Sequence, residues 1–187
     1  MSNKTIRIDL SDARTIKTAI KEVKKFRKNI EKGSAKLVAD LGKTAQSSAS
    51  EGYASAQYAG DNDVHVELLQ TEELKATVSA EGNAALFIEF GTGITKSDAP
   101  EARADLKSGS NVVGHGQYGH HLGRMKNGWR YSGSIGSNPP SDTSVITEGK
   151  HKGMVQTKGN DATPALYLAK KEAERKLPEL IKEAFKQ

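Results

Sequence analysis

The chain opens on a short alternation. Ile6, Ile8 and Leu10 interleave with Thr5, Arg7 and Asp9, the period of a strand with one buried face. The period then changes. Ile16, Ile20, Val23, Phe26 or Arg27, and Ile30 recur at helical spacing with lysines and arginines opposite, and Ser11 or Asp12 stands where such a helix needs its N-terminal cap. Gly33 is expected to interrupt this helix. Ser34 can cap a continuation through Leu37, Val38, Leu41 and Ala45 to about Tyr58, whose Ala, Ser and Gly content leaves a face small enough for close approach of another backbone or subunit.

Gly60-Asp61-Asn62-Asp63 is a turn cluster. Val64, Val66 and Leu68 then alternate with His65, Glu67 and Leu69. Thr71-Glu72-Glu73 turns, and Leu74, Ala76 and Val78 return, so a hairpin is expected. Residues 84–90 form a short, mostly apolar, buried element that carries one carboxylate, Glu89, and stops at Gly91-Thr92-Gly93. From Gly91 to Thr163 the chain holds 13 of its 18 glycines and three of its five prolines. A structureless loop of that length is improbable in a compact domain. The stretch 94–160 is therefore expected to be an inserted loop or hairpin arm, pairing a strand near Gly128-Trp129-Arg130-Tyr131 with one near Gly153-Met154-Val155-Gln156-Thr157, and carrying an exposed, mobile tip at 137–142. Thr163-Pro164 predicts a helix start, with a hydroxyl cap followed by proline at the first helical position. Leu166, Ala169, Ala173, Leu177, Leu180, Ile181 and Ala184 give that helix an apolar face, and Pro178 is expected to kink it or split off its last turn. The pattern predicts one α+β domain over 1–187: a small, mostly antiparallel sheet packed by a long N-terminal helix and a C-terminal helix, with the glycine-rich arm inserted.

Composition makes the core of this fold modest. Only 35% of residues are hydrophobic and 5% aromatic, so part of the chain is expected to be solvated or buried against partners. The absence of cysteine excludes disulfides and thiolate metal sites and fits cytosolic synthesis. No apolar run approaches the length of a membrane helix and the N-terminus lacks an apolar signal core, so a soluble protein without a membrane partner is expected. Charge is segregated: residues 1–36 carry 11 Lys/Arg and 4 Asp/Glu, residues 37–101 carry 3 and 11, and residues 102–187 carry 14 and 8. Surfaces of opposite sign on one chain suit head-to-tail stacking of identical subunits, or docking on charged neighbours; they are also compatible with ordinary solvated faces.

The motifs that suggest chemistry fail on their own requirements. Gly91-Thr92-Gly93-Ile94-Thr95-Lys96-Ser97 lacks the glycine before the lysine that a nucleotide phosphate loop needs. Gly114-His115-Gly116-Gln117-Tyr118-Gly119 matches the dinucleotide fingerprint literally, without the strand and helix that give it meaning. His115, His120, His121 and His151 have neither the spacing nor the companion ligands of a zinc site. Glu89 has no partner at a catalytic spacing. A structural role is expected for it, either capping amides of the following turn or pairing with a cation across a subunit contact. Trp129 is either a hot-spot anchor of an interface or packing for the arm. Lys17, Lys21, Lys24 and Lys28 line one face of the first helix and could meet phosphates without sequence preference.

Three stretches carry a family resemblance. Residues 85–93, Ala-Leu-Phe-Ile-Glu-Phe-Gly-Thr-Gly, look like an aromatic–acidic–phenylalanine–Gly-Thr signature, with Phe87, Glu89, Phe90, Gly91, Thr92 and Gly93 at its positions. Gly128-Trp129-Arg130-Tyr131, followed by Thr157-Lys158-Gly159-Asn160, is the second. Residues 162–169, Ala-Thr-Pro-Ala-Leu-Tyr-Leu-Ala, opening a terminal helix, are the third. Together they resemble the tail-component and neck proteins of long-tailed bacteriophages, the head–tail joining and tail-completion family related to the lambda minor tail protein Z. The stretch between Gly93 and Gly128 is longer than a minimal member needs and is not carried over. The resemblance implies a small α+β fold and a ring of identical subunits joining the connector or head-completion protein to the tail-tube or tail-terminator protein. It further implies a place in the virion after synthesis in the bacterial cytoplasm, possible contact with passing DNA, no cofactor and no enzymatic activity. The alternatives are a nucleic-acid-binding module built on the basic helix, or a minor capsid protein.

Overall fold

The computed structural model describes residues 11–91, 129–160 and 162–186; the expected strand at 5–10 lies outside them. The first element is one unbroken helix, α1 (Ala13–Ser55), of 43 residues, or about 65 Å at 1.5 Å per residue. Asp12 caps it, its carboxylate accepting the Arg14 N–H at 2.8 Å. Gly33 does not interrupt it, contrary to the reading from sequence. Glycine costs an exposed helix interior about 1 kcal/mol against alanine, but here the missing side chain makes room for a partner. A Cβ at Gly33 would stand 2.6 Å from Cδ1 of the Phe185 ring. Two more glycines work the same way: a Cβ at Gly42 would meet Leu68 Cδ1 at 2.7 Å, and one at Gly52 would meet Ala165 Cβ at 2.8 Å.

These three contacts order the fold. Leu68 belongs to a hairpin of β1 (His65–Glu72) and β2 (Lys75–Glu81), antiparallel with Val66 opposite Ala80 and Leu68 opposite Val78, and irregular between Leu69 and Glu72. Gln46 Nε2 donates to the Val66 carbonyl at 3.3 Å. Two residues forward on β1 thus correspond to four back on α1, and the hairpin runs antiparallel to the helix. Ala165 opens and Phe185 follows the last helix of the described chain, which spans Ala165–Ala184. Gly33 and Gly52 are 19 residues apart and Phe185 and Ala165 are 20, so the two helices lie side by side and antiparallel.

Between hairpin and last helix come α2 (Ala85–Phe90), β3 (Trp129–Tyr131), β4 (Ser144–Val145) and β5 (Val155–Thr157); the last helix is α3. The fold class is α+β as read from sequence, with the strands divided between two small antiparallel sheets instead of one. β3 pairs with β5 as expected, Trp129 opposite Thr157 and Tyr131 opposite Val155, while β4 adds a third strand on the other edge of β5. The segment 137–142 is not a free tip. Asn138 Nδ2 donates to the carbonyls of Ser55 and Ala56 at 3.1 and 3.2 Å, the Asn138 carbonyl accepts the Tyr58 N–H at 2.9 Å, and Pro140 is buried. The Tyr131 hydroxyl and the Gly136 N–H both donate to the Ala59 carbonyl, at 2.7 and 2.9 Å. Carbonyls at a helix end lack partners within the helix, and this segment supplies donors to them. Pro178 does not split α3, which is one element from Ala165 to Ala184.

The core is small. Ile88 and Val155 are wholly buried, and around Ile88 pack Ala49, Tyr53, Ala56, Val66, Ala84, Ala165 and Ala169. Alanines suit the close approach of α1 and α3, where Gly52 meets Ala165.

The glycine contacts differ in what surrounds them. A Gly33→Ala methyl meets the far end of one ring, which can swing aside, so the gain in helix propensity should leave the variant as stable as the parent or up to about 1 kcal/mol more stable. A Gly52→Ala methyl meets Ala165 Cβ and, at 3.3 Å, its backbone Cα. That overpacking should cost about 1–3 kcal/mol. Urea unfolding of both variants checks the order, and equal effects would refute it.

Candidate functional site

The segment that carries the single carboxylate becomes a helix with outside help. Ala84, at its N-cap, has no side-chain acceptor. Asp63 takes that role from across the turn: its carboxylate accepts the Ala84 N–H at 2.9 Å, the Asn83 N–H at 2.9 Å and Asn83 Nδ2 at 2.8 Å. The Ala84 amide, then that of Asn83, hold the Asp63 carboxyl below its ordinary range. The helix stops at Gly91, whose φ of +68° suits glycine and whose missing side chain leaves the Ala162 nitrogen in place, 2.6 Å from where a Cβ would stand.

Glu89 sits one turn inside, 9% exposed. Its Oε2 accepts the Tyr53 hydroxyl at 3.0 Å and the Leu166 N–H at 3.1 Å; its Oε1 accepts the Tyr167 N–H at 3.4 Å. Leu166 and Tyr167 are in the first turn of α3. That helix starts after Pro164, which makes no side-chain cap, so Glu89 is its cap, supplied from 77 residues away in sequence. The hydroxyl cap expected of Thr163 is not used: the Thr163 N–H instead donates to the Ile88 carbonyl at 2.8 Å. A carboxylate at a helix N-terminus satisfies orphan amides and meets the positive end of the dipole. Burial pushes the Glu89 carboxyl above its ordinary value, with the donated hydrogen bonds from Leu166, Tyr53 and Tyr167 opposing. Burial and the neighbouring carboxylate push the Tyr53 hydroxyl upward as well.

The other residues singled out in the sequence divide into three groups. Phe87 and Gly91 belong to this hub: the Phe87 ring stacks against Tyr58 with centroids 6.4 Å apart, and its carbonyl accepts Asn160 Nδ2 at 3.1 Å. Phe90 is partly buried on α2. Gly159 lies just after β5, buried, with its N–H on Thr157 Oγ1 at 3.1 Å, while Lys158 beside it is exposed. The backbone of Trp129 forms the start of β3. Lys17, Lys21, Lys24 and Lys28 are exposed on α1, remote from the hub. Residues 92–97 of the first glycine-rich motif, the second such motif at 114–119, and His115, His120 and His121 lie outside the described residues.

Tyr53 and Asp63 were given no role by the sequence, and Asn160 appeared only within the resembling stretch 157–160; each acts on a residue distant along the chain. Among the described residues no group of three or more His, Cys, Asp or Glu side chains could hold a metal ion, and no helix is long and apolar enough to cross a membrane. The open groove between α1 and α3 contains Glu51, Lys171, Glu172, Arg175 and Lys176. Glu172 there pairs with Arg175 through two contacts of 2.6 and 2.7 Å and with Lys176 at 3.8 Å, while Lys171 pairs with Glu174. The site is therefore a structural junction, with both oxygens of its carboxylate engaged.

Replacing Glu89 tests the junction. Glu89→Gln keeps one acceptor oxygen but turns N–H groups toward an N–H donor, and should cost about 1–2 kcal/mol; Glu89→Ala, which strands a hydroxyl and two amides, should cost about 3–5 kcal/mol. Because the folded state raises the Glu89 pKa, the stability due to its protonation is complete below the ordinary value of 4.5 and is lost as pH rises through the raised one. The advantage of the parent over Glu89→Gln should therefore shrink from mildly acidic toward neutral pH. Denaturation midpoints across that range measure it, and a pH-independent difference would contradict the burial argument.

No family model, no curated protein and no solved structure matches the chain, so its function is read from its own residues.

Proposed function

We propose that the chain is a structural subunit of the head–tail junction of a long-tailed phage, a neck or tail-completion protein that acts by assembling into a ring between connector and tail. One observation carries this reading: three of the segments that resemble the phage tail-component family, 85–91, Asn160 and 162–167, meet at one junction. Glu89 caps α3 at Leu166, the Ile88 carbonyl takes the Thr163 N–H, Asn160 donates to Phe87, and Gly91 lies against Ala162. A signature whose residues close a fold, with its carboxylate wholly engaged in capping, fits a building block better than an enzyme. On this reading the partners are further copies of the chain, the connector or head-completion protein, and the tail-tube or tail-terminator protein, and the protein resides in the virion. Sedimentation and electron micrographs of the purified protein should give a closed ring, alone or when connector or tail protein is added. A monomer in all three mixtures would end the proposal.

A second reading is favoured by the exposure of Lys17, Lys21, Lys24 and Lys28 along one face of α1: these lysines contact DNA, either as the chain's main role or as DNA passes through the ring. Four phosphate contacts would give retardation of duplex DNA whose logarithmic affinity falls with logarithmic salt at a slope of about −3.6. Absence of retardation at low salt would eliminate this reading.

A further inference from the structure

Among the described residues, the elements laid against α1 are α3 and the hairpin, and neither reaches its N-terminal end. The end of α3 meets it at Gly33. The hairpin, in contact at Gly42, has about 17 Å of strand left before its turn, which brings that turn to about the same level. Residues 13–32 therefore extend as an arm of roughly 30 Å. Ala19 is the one residue of this arm that is buried. Its apolar stripe is open: Ile20 is 50% exposed, Val23 56%, Phe26 61% and Ile30 44%. The stripe continues, at steps of three and four, into Leu37 and Leu41 of the packed half, which are half-buried, so the same face is more covered on one side of Gly33 than at Ile20, Val23, Phe26 and Ile30 on the other.

The arm carries eight Lys/Arg and two Glu. Pairing it with the arm of another copy would set like charge against like charge. The complementary surface is elsewhere on the chain. Val66 and Leu68 face α1, and by alternation Glu67 and Leu69 face away. Leu69 and Leu74 are 47% and 60% exposed, beside Glu67, Glu72 and Glu73. Residues 65–81 hold four glutamates against one lysine, Lys75. The hairpin meets its own α1 by its inner face, and Leu69, Glu72, Glu73 and Leu74 stay exposed toward its turn.

We propose that the arm of one copy lies across the outer face of the β1–β2 hairpin of a second copy. Ile20, Val23 and Phe26 meet Leu69 and Leu74, and the flanking lysines meet Glu67, Glu72 and Glu73. The contact is heterologous, so each copy offers both halves and the chain of contacts closes into a ring when the rotation allows. The proposal rests on the reading of the protein as a self-assembling subunit and names the surface through which it assembles.

The absence of cysteine makes the test direct. Val23→Cys, enlarged by a tag, is mixed with untagged Leu69→Cys and treated with a short thiol–thiol cross-linker. The mixed product should dominate both homodimers. Independently, Lys21→Glu/Lys24→Glu/Lys28→Glu should weaken self-association at least about tenfold, and adding Glu72→Lys/Glu73→Lys subunits should restore it. Unchanged circular dichroism verifies that these surface variants fold. Assembly without the mixed cross-link overturns this interface and leaves the ring reading standing. A monomer at every concentration overturns both. Dominant Val23→Cys homodimers mean arm-to-arm pairing, and overturn it too. So does loss of DNA retardation in the triple variant with assembly unaffected, which would make the arm a nucleic-acid surface, or burial of the arm by its own chain, which would leave both variants without effect.

Discussion

The buried carboxylate of Glu89 is the constraint on which the described fold depends. It lies on a six-residue helix too short to stand alone, between a tyrosine of α1 and the first amides of α3. A carboxylate taken out of water is costly unless its hydrogen bonds are replaced, and here three donors from two other helices replace them. The same bonds cap a helix that has no side-chain cap of its own. Each side of the arrangement thus removes a penalty from the other, and breaking it would leave a buried anion and an uncapped helix together. That reciprocity fixes where α3 begins relative to α1, and Gly52 then lets the two backbones close to contact at Ala165.

Much of the architecture was legible because its signals are local. The helical stripe of α1, the alternation of β1 and β2, the pairing of 129–131 with 155–157 and the start of the last helix all follow from spacing and turn chemistry within a few residues. Gly33 was misread because propensity is a weak prior: its cost of about 1 kcal/mol is set against the packing of Phe185, more than a hundred residues away in sequence. The Thr163 cap failed for a related reason, since Glu89 already occupies the amides that Thr163 would have served. Segment 137–142 looked like a tip because proline, serine and asparagine mark turns; that Asn138 would bind the end of α1 depends on a meeting no local pattern encodes. The role of Glu89 was half legible. A lone carboxylate in an apolar run had to be paired, and the expected partners were amides of the following turn or a cation across a subunit contact; the amides it finds belong to a distant helix.

The stretches of the family resemblance gain a physical meaning from this junction. Glycine at 91 is required by a positive φ and by the Ala162 backbone; the acidic residue at 89 is required by uncapped amides; Asn160 is required by a helix-end carbonyl. None of these demands involves a substrate. The fold alone therefore accounts for these three positions.

The surface with most to explain is the overhanging half of α1. As a free peptide a helix of about 20 residues rich in lysine and β-branched residues would be marginal in water, because nucleation is unfavourable. Attached to a packed half it avoids that cost, since each further residue only extends an existing hydrogen-bond ladder. The arm can therefore persist without covering, but its stripe gains nothing from being apolar while it stays bare. Four large hydrophobic side chains held at helical spacing, on the face whose continuation beyond Gly33 is half-buried, are better accounted for by a second molecule than by solvent. The segregation of charge then narrows which molecule, because a strongly basic arm and an acidic hairpin on one chain suit a second copy, the occupant proposed above.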